Sequence, residues 1–315
     1  MIRSQSPRPT ARRIDGILLL DKPSGPSSNA VLQRVKRLYQ AEKAGHTGSL
    51  DPLASGLLPI CLGEATKLAG FLLGADKAYR ATARLGIRTD TMDALGQVIA
   101  EAPLQGIERV RIEAEMQRFR GPITQVPPMH SALKRDGTPL YELARRGVEV
   151  ERAPRSVTIH RLELIAFDPP TLELAIECSS GTYVRTLVDD LGQALGCGAH
   201  VQALRRIWAA PFREPLMHPL EALESRAGDL VALDALLLPP AAALTHLPWV
   251  RVSATAAARL RHGNPVPAGR LPAAQEVVMV DPHGELVGIG RNEDGSLLHP
   301  VRILRPSSSG ARHDS

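Results

Sequence analysis

The sequence predicts a mixed-sheet α/β (α+β) protein with a small β-rich unit at its C-terminal end. Three observations carry this. Short segments of period-two hydrophobicity are interleaved with amphipathic helical segments. Their order lacks the repeating βαβ rhythm of an all-parallel sheet. Past residue 248, two hairpin signatures follow in close succession.

The elements follow in chain order. Residues 1–13 carry four arginines, two prolines and no acid, and read as a flexible basic arm. Gly16 to Leu20 is a continuous apolar run, a buried strand that ends at Lys22-Pro23. Ser27 or Ser28 is placed to cap a helix with Val31, Leu32, Val35, Leu38 and Tyr39 on one face. The other face carries Arg34, Lys36 and Arg37, a solvated face or a phosphate contact. Tyr79 to Leu85 alternates, with Tyr79, Ala81, Ala83 and Leu85 on one side and Arg80, Thr82 and Arg84 on the other. Leu172 to Cys178 is a further strand, followed by a turn at Gly181 and a helix striped by Leu187, Val188, Leu191 and Leu195. Leu, Ala and Pro dominate from Leu236 to Pro248, which places a boundary near residue 247 between a large domain (14–247) and a small one (248–305). In the small unit, Asp281-Pro282-His283-Gly284 and Asp294-Gly295 separate three apolar runs. Residues 306–315 read as a disordered tail, and no internal repeat is visible.

Composition narrows the function classes. With 43% apolar residues the chain can bury a sizeable core. A net charge of +5 and a pI near 9.4 favour an anionic partner, while a basic enzyme with no such partner is equally compatible. Three isolated cysteines without CxxC spacing argue against a disulfide framework or a zinc site and suit a reducing, cytoplasmic setting. The apolar run at Gly16 is too short for a signal core or a membrane span.

Two stretches are rich in chemical side chains. In Gly45 to Pro59, GHTGSLDPLASGLLP, turn-forming glycines flank a single acid, Asp51. Pro52 holds Asp51 extended and keeps a helix from starting there, so the acid is presented on a loop. Spacing alone equally allows Asp51 to cap the turn before Leu53. In SGTYVRTLVDDL, Arg185 falls in the first helical turn, just off the apolar stripe, and is placed to hold a carboxylate from elsewhere. It also fits a surface arginine paired with Asp189 at i, i+4. His46 stands near Asp51 and suits fixing the loop by hydrogen bonding. No paired HxxxH or CxxC, GxxxxGK[ST], GxGxxG or GxSxG is present, so no metal, phosphate loop, dinucleotide cofactor or serine elbow is expected.

DKPSGPSSN, GHTGSLDPLASGLLPICLGEATK, AYRATARLGIRTDTMDALG, SSGTYVRTLVDDLG and GAHVQALRRI occur in that order. Together they resemble the bacterial TruB-type pseudouridine synthases, and the likeness runs from about Gly16 into the C-terminal domain. It implies the mixed-sheet pseudouridine synthase domain and a cofactor-free isomerisation of the T-loop uridine of tRNA, position 55, to pseudouridine. Asp51 matches the essential aspartate, as nucleophile or base. Tyr79 matches the tyrosine that stacks on the flipped uracil, and Arg185 the arginine paired with the aspartate. His46 matches a histidine that holds extruded loop nucleotides; Tyr183 and Leu204 match the base pocket; Lys22 and Pro23 match a motif supporting the active-site floor.

The stretch around residues 122–150 resembles the family's RNA-gripping insertion, with His130 where a tyrosine is usual. Residues 248–305, with RHGNPV from Arg261 to Val266, resemble a PUA domain, a β-barrel that binds RNA. The resemblance further implies the tRNA T-arm as partner, a monomer, no obligate protein partner and no membrane attachment. One competing reading is a tRNA-folding chaperone in which catalysis is secondary or absent. Another is a guide-RNA-dependent synthase with partner proteins, which the insertion before Val150 disfavours.

Overall fold

The computed structural model describes residues 11–269, 271, 275–293 and 295–306. The apolar run near the N-terminus forms β1 (Gly16–Lys22), whose register is set against β3 (Ser55–Leu62). Leu18 and Leu20 enter one apolar core and Ile17 and Leu19 another, so the strand is buried on both faces. That explains why GILLL is continuous rather than alternating. Between these strands lie α1 (Ser28–Leu38) and the short edge strand β2 (Ala44–His46), which pairs with β3. Ser27 caps α1 by accepting from the Ala30 amide, and Val31, Leu32 and Val35 are its buried stripe. Arg34 on the polar face meets Glu224 at 3.6 Å, a half-exposed pair.

After α2 (Ala69–Leu73) the chain enters β4 (Lys77–Leu85), which alternates at Ala81, Ala83 and Leu85 as its sequence predicts. A hairpin of β5 (Ile87–Thr89) and β6 (Val98–Glu101), then α3 (Arg109–Met116), lead to β7 (Gly121–Gln125). Beyond β7 stand two two-residue strands, β8 (Lys134–Arg135) and β9 (Thr138–Pro139), and α4 (Leu140–Arg145). Next come β10 (Arg155–Asp168), β11 (Thr171–Cys178), α5 (Val184–Leu195), β12 (Ala199–Ala209) and β13 (His218–Pro219). The main sheet runs β13-β1-β3-β12-β4-β11-β10-β7, with β2 beside β3. Only β12–β3 and β1–β13 are parallel, so the sheet is mixed.

Two expected boundaries shift. The insertion was expected from about residue 122, but residues 122–125 belong to β7 and pair with β10. Pro122 does not break this ladder because β7 is the sheet's edge. The basic arm is not free up to residue 13. The Arg12 amide donates to the Gln40 carbonyl at 2.8 Å, and its guanidinium pairs with Asp234. Residues 1–10 of the arm, and all but Pro306 of the predicted tail, lie outside the described residues.

The small unit is an open half-barrel rather than a closed barrel. Its strands are β14 (Trp249–Arg251), β15 (Val266–Pro267), β16 (Gln275–Val280), β17 (Leu286–Asn292) and β18 (Leu297–Ile303), in the order β14-β16-β17-β18-β15. Among the described residues the terminal strands β14 and β15 do not pair with one another, so the ring stays open. Asp281 organises the β16–β17 turn by accepting from the amides of His283 and Glu285. Asp294, expected in the next turn, is outside the described residues. RHGNPV begins at the last residue of α6 (Ala254–Arg261) and runs into β15. Val278, Ile289 and Leu304 join Ile17, Leu19 and Leu57 in one core, so the half-barrel packs against the main sheet.

Candidate active site

The loop between β2 and β3 carries Asp51, and its backbone is held from several sides. Ser28 Oγ, at the start of α1, bonds both the amide and the carbonyl of Leu50 at 2.8 Å. Lys22, fully buried, donates its ammonium to the carbonyls of Ala54 at 2.7 Å and Pro23 at 2.9 Å. Arg206 on β12 donates to the Leu57 carbonyl at 2.6 Å and the Gly48 carbonyl at 3.1 Å. Close packing of β3 on β12 requires glycine at position 56: its φ is +95°, and a Cβ there would lie 2.2 Å from the Arg206 carbonyl oxygen. The turn after Asp51 is closed by its backbone carbonyl, which accepts from the Ala54 amide at 3.0 Å. The carboxylate is therefore not spent as a turn cap.

Instead Asp51 Oδ2 meets Arg185 Nε at 2.9 Å. Arg185 lies in the first turn of α5 and is buried, because the helix presses its N-terminus against the sheet. Its two other nitrogens are engaged as well: Nη1 donates to the Thr91 carbonyl at 2.8 Å and faces Asp93 Oδ2 at 3.5 Å, and Nη2 donates to the His130 carbonyl at 2.7 Å. The i, i+4 alternative does not form. Asp189 accepts from Arg88 at 2.8 and 3.0 Å.

Asp93 is the residue that the motif reading missed. It lies inside the TDTMDALG stretch, but nothing in its spacing announces that the β5–β6 hairpin folds back onto Arg185. It is itself fixed by Thr91 Oγ1 at 2.7 Å and the Leu95 amide at 3.0 Å.

Asp51, Tyr79, Tyr183, Arg185 and Leu204 line one cavity of about 330 Å³, joined by Lys77, Arg206 and, from the segment between β7 and β8, Ser131, Ala132 and Leu133. The sequence-predicted aspartate, both tyrosines, the arginine and the leucine are thus brought together. Lys22, Pro23 and His46 are not cavity residues. Lys22 lies beneath the loop, and Pro23 offers it a carbonyl. His46 ends β2, and its Nδ1 is buried without a hydrogen-bond partner among the described residues.

Burial pushes the Asp51 carboxyl above its ordinary value, Arg185 pulls it down, and Asp93 pushes it up again. The carboxylate still keeps 39% of its side chain open, so its ionisation is set by a recessed wall rather than by full enclosure. Burial raises the Tyr79 phenol, against the opposing pull of the Arg206 guanidinium. Burial also lowers His46, with Arg206 acting the same way. Desolvation brings Lys22 and Lys77 each down to about 8, leaving both mostly protonated at neutral pH. One pocket carboxylate paired to an arginine suits attack or proton removal at a single centre. It differs from the acid–base carboxylate pair of most glycoside hydrolases. Among the described residues no cluster of three or more His, Cys, Asp or Glu is arranged to hold a metal ion, and no helix is long and apolar enough to cross a membrane.

Comparison with known structures places the architecture. The fold matches that in "Structure of H/ACA RNP bound to a substrate RNA containing 2'-deoxyuridine" with a TM-score of 0.71 and 25% identity, over 92% of this chain and 85% of that one. It matches that in "Crystal Structure of a Cbf5-Nop10-Gar1 Complex" with a TM-score of 0.67 and 30% identity, over 88% and 78%. Fold and site together define a pseudouridine synthase, an isomerase of uridine in RNA.

The family is resolved by sequence. Residues 36–184 match the TruB family pseudouridylate synthase N-terminal domain. Residues 185–245 match the tRNA pseudouridylate synthase B C-terminal domain, and 248–304 match Pseudouridine synthase II TruB, C-terminal. The tRNA pseudouridine synthase B of Pseudomonas aeruginosa is 52% identical over 93% of this chain and 97% of its own length. That of Coxiella burnetii is 47% identical over 97% and 99%. The chain belongs to the TruB family, whose reaction is conversion of uridine to pseudouridine in tRNA.

Proposed function

We propose that this protein isomerises the T-loop uridine of tRNA, position 55, with Asp51 as the group that acts on the flipped nucleotide. The observation that carries this is the 2.9 Å pairing of Asp51 with a buried Arg185 on the wall of a cavity that Tyr79 also lines. Extruding a stacked base costs a few kcal/mol. Stacking on the Tyr79 ring returns roughly 1–3 kcal/mol. Arg185 keeps Asp51 ionised against burial, and Tyr183 and Leu204 shape the base pocket. Lys22 and Pro23 act from beneath, through the Asp51 loop. His46, on the strand leading into the loop, contacts extruded nucleotides.

The T-arm is gripped by the insertion, with His130 serving through its backbone carbonyl, and by the half-barrel acting as a PUA-like RNA-binding module. The protein works in the cytoplasm, as a monomer and without obligate partner proteins. A net charge of +5 and the near full-length match to tRNA synthase B relatives support this reading. A tRNA-folding chaperone is the second reading. The insertion and the basic composition serve it equally, but the buried Arg185–Asp51–Asp93 network has no use in binding alone.

Tritium release from a tRNA transcript labelled at C5 of uridine tests the proposal. Wild type releases one equivalent, replacement of the T-loop uridine abolishes release, and Asp51→Asn binds tRNA without turnover. Wild-type turnover by Asp51→Asn refutes the role of Asp51. Tight tRNA binding by a folded wild type that releases nothing favours the chaperone.

A further inference from the structure

Positive charge buried around the Asp51 cavity exceeds what its carboxylates offset. Arg185 faces two of them, Asp51 and Asp93. Lys77 and Arg206 also line the cavity and are 8% and 1% exposed, yet among the described residues neither has a carboxylate within ion-pair distance. Asp76, next to Lys77 in sequence, faces His160 at 3.4 Å instead.

Among the described residues, the hydrogen-bond partners of both cations are backbone carbonyls. Lys77 donates to the carbonyls of Ala75 at 2.6 Å and Leu73 at 3.3 Å. Arg206 donates to those of Leu57 and Gly48. Carbonyl dipoles stabilise a buried cation but do not neutralise it, and an unpaired buried charge weakens the fold. A charge held at that cost against the wall of a reactive cavity finds its counter-ion in what enters the cavity.

We propose that Lys77 and Arg206 form a cationic wall that stabilises the uracil anion released when the glycosidic bond breaks, an inference that rests on the isomerisation proposed above. The N1–C1′ bond breaks with its electron pair passing to uracil N1 and spreading onto O2 and O4. The electron-poor sugar is met by the Asp51 carboxylate. When the turned base rejoins through C5, the new C5–C1′ bond takes the electron pair back, C5 loses its proton and N1 gains one. Negative charge therefore resides on the base only between the two bonds. A fixed positive field there favours the transition states over the bound substrate. Lys77 is well suited, since its ammonium is anchored to two carbonyls and needs no reorganisation as the charge develops.

The alternative anion is a backbone phosphate of the extruded nucleotide, and one experiment separates the two. Single-turnover loss of the target nucleoside is measured by nuclease digestion and chromatography, for tRNA carrying uridine or 5-fluorouridine at the site. Fluorine withdraws electrons and makes the base a better leaving anion. Lys77→Gln keeps N–H donors for the two carbonyls and removes the charge. It is expected to slow uridine cleavage roughly 10²-fold, to slow 5-fluorouridine cleavage much less, and to leave tRNA affinity unchanged. Lys77→Arg is expected to restore most of the uridine rate, and Arg206→Gln to repeat the unequal loss should Lys77→Gln not fold. Equal losses on both substrates, or no loss, overturn the inference. Weaker, less salt-sensitive tRNA binding with unchanged rates also overturns it and assigns the cations to phosphate. If wild type consumes neither substrate, the isomerisation itself falls, and the inference with it.

Discussion

Replacing Arg185 with methionine tests the central geometry of the site, because one buried guanidinium serves four partners. It pairs with Asp51 at 2.9 Å, faces Asp93 at 3.5 Å, and donates to the carbonyls of Thr91 at 2.8 Å and His130 at 2.7 Å. Methionine fills the volume but leaves two carboxylates near one another without their shared cation. Breaking a buried ion pair costs about 3–5 kcal/mol. Asp51 is 39% exposed and recovers part of its loss from water, whereas Asp93 is only 7% exposed, so the lower end, about 3 kcal/mol, applies.

The effect on ionisation has a definite sign. Burial and Asp93 already raise the Asp51 pKa, and Arg185 opposes them. Without Arg185 the carboxyl holds its proton to a higher pH. The acid limb of kcat/KM, measured by tritium release, therefore moves to higher pH in Arg185→Met. Arg185→Lys, which keeps the charge and loses the planar fork, moves it less. Denaturant unfolding of the full chain reads the stability loss in parallel. An acid limb at the wild-type position, with only a lower plateau, refutes the claim that Arg185 sets the ionisation of Asp51.

Three further outcomes are expected. Asp51→Asn abolishes turnover and, at neutral pH, raises the denaturation midpoint. The folded pKa of Asp51 lies above the ordinary 3.8, so fold stability declines as pH rises from the unfolded value through the folded one, and asparagine removes that penalty. A midpoint unchanged or lowered at neutral pH contradicts this. Tyr79→Phe keeps the stacking face and binds tRNA as wild type does, whereas Tyr79→Leu loses about 1–3 kcal/mol of base stacking and most activity; equal binding by the two variants in a filter assay removes the stacking role. Gly56→Ala places a Cβ 2.2 Å from the Arg206 carbonyl at a φ of +95°, and the β3–β12 contact must open. It is expected to cost more than about 3 kcal/mol, and a normal melting curve for this variant contradicts the close approach.

Local pattern and tertiary structure contributed differently to what can be read from this chain. The helix at Ser28–Leu38, its cap at Ser27 and the alternation at Ala81, Ala83 and Leu85 follow from periodicity, because each is decided within a few residues of chain. The ordered motifs sufficed for the family and for Asp51, Tyr79, Arg185, Tyr183 and Leu204, which the structure gathers around one cavity. Periodicity did not reveal that β7 begins at residue 121 or that the small sheet stays open. Those outcomes depend on which surfaces meet, and hydrophobic pattern does not encode that.

The same division runs through the site. Sequence spacing left Asp51 as either a turn cap or a presented acid, and Arg185 as either a partner for Asp51 or a surface residue beside Asp189. The chain's own composition determined that a basic, cysteine-poor protein would carry a single acid on a glycine-rich loop. Only the tertiary structure decided what that acid meets. The β5–β6 hairpin brings Asp93 to Arg185, the segment between β7 and β8 adds the His130 carbonyl, and β12 and β4 bring in Arg206 and Lys77. Ionisation in a recessed pocket depends on charges and dipoles within a few ångströms, and here those neighbours lie as far apart in sequence as Gly48 and Arg206.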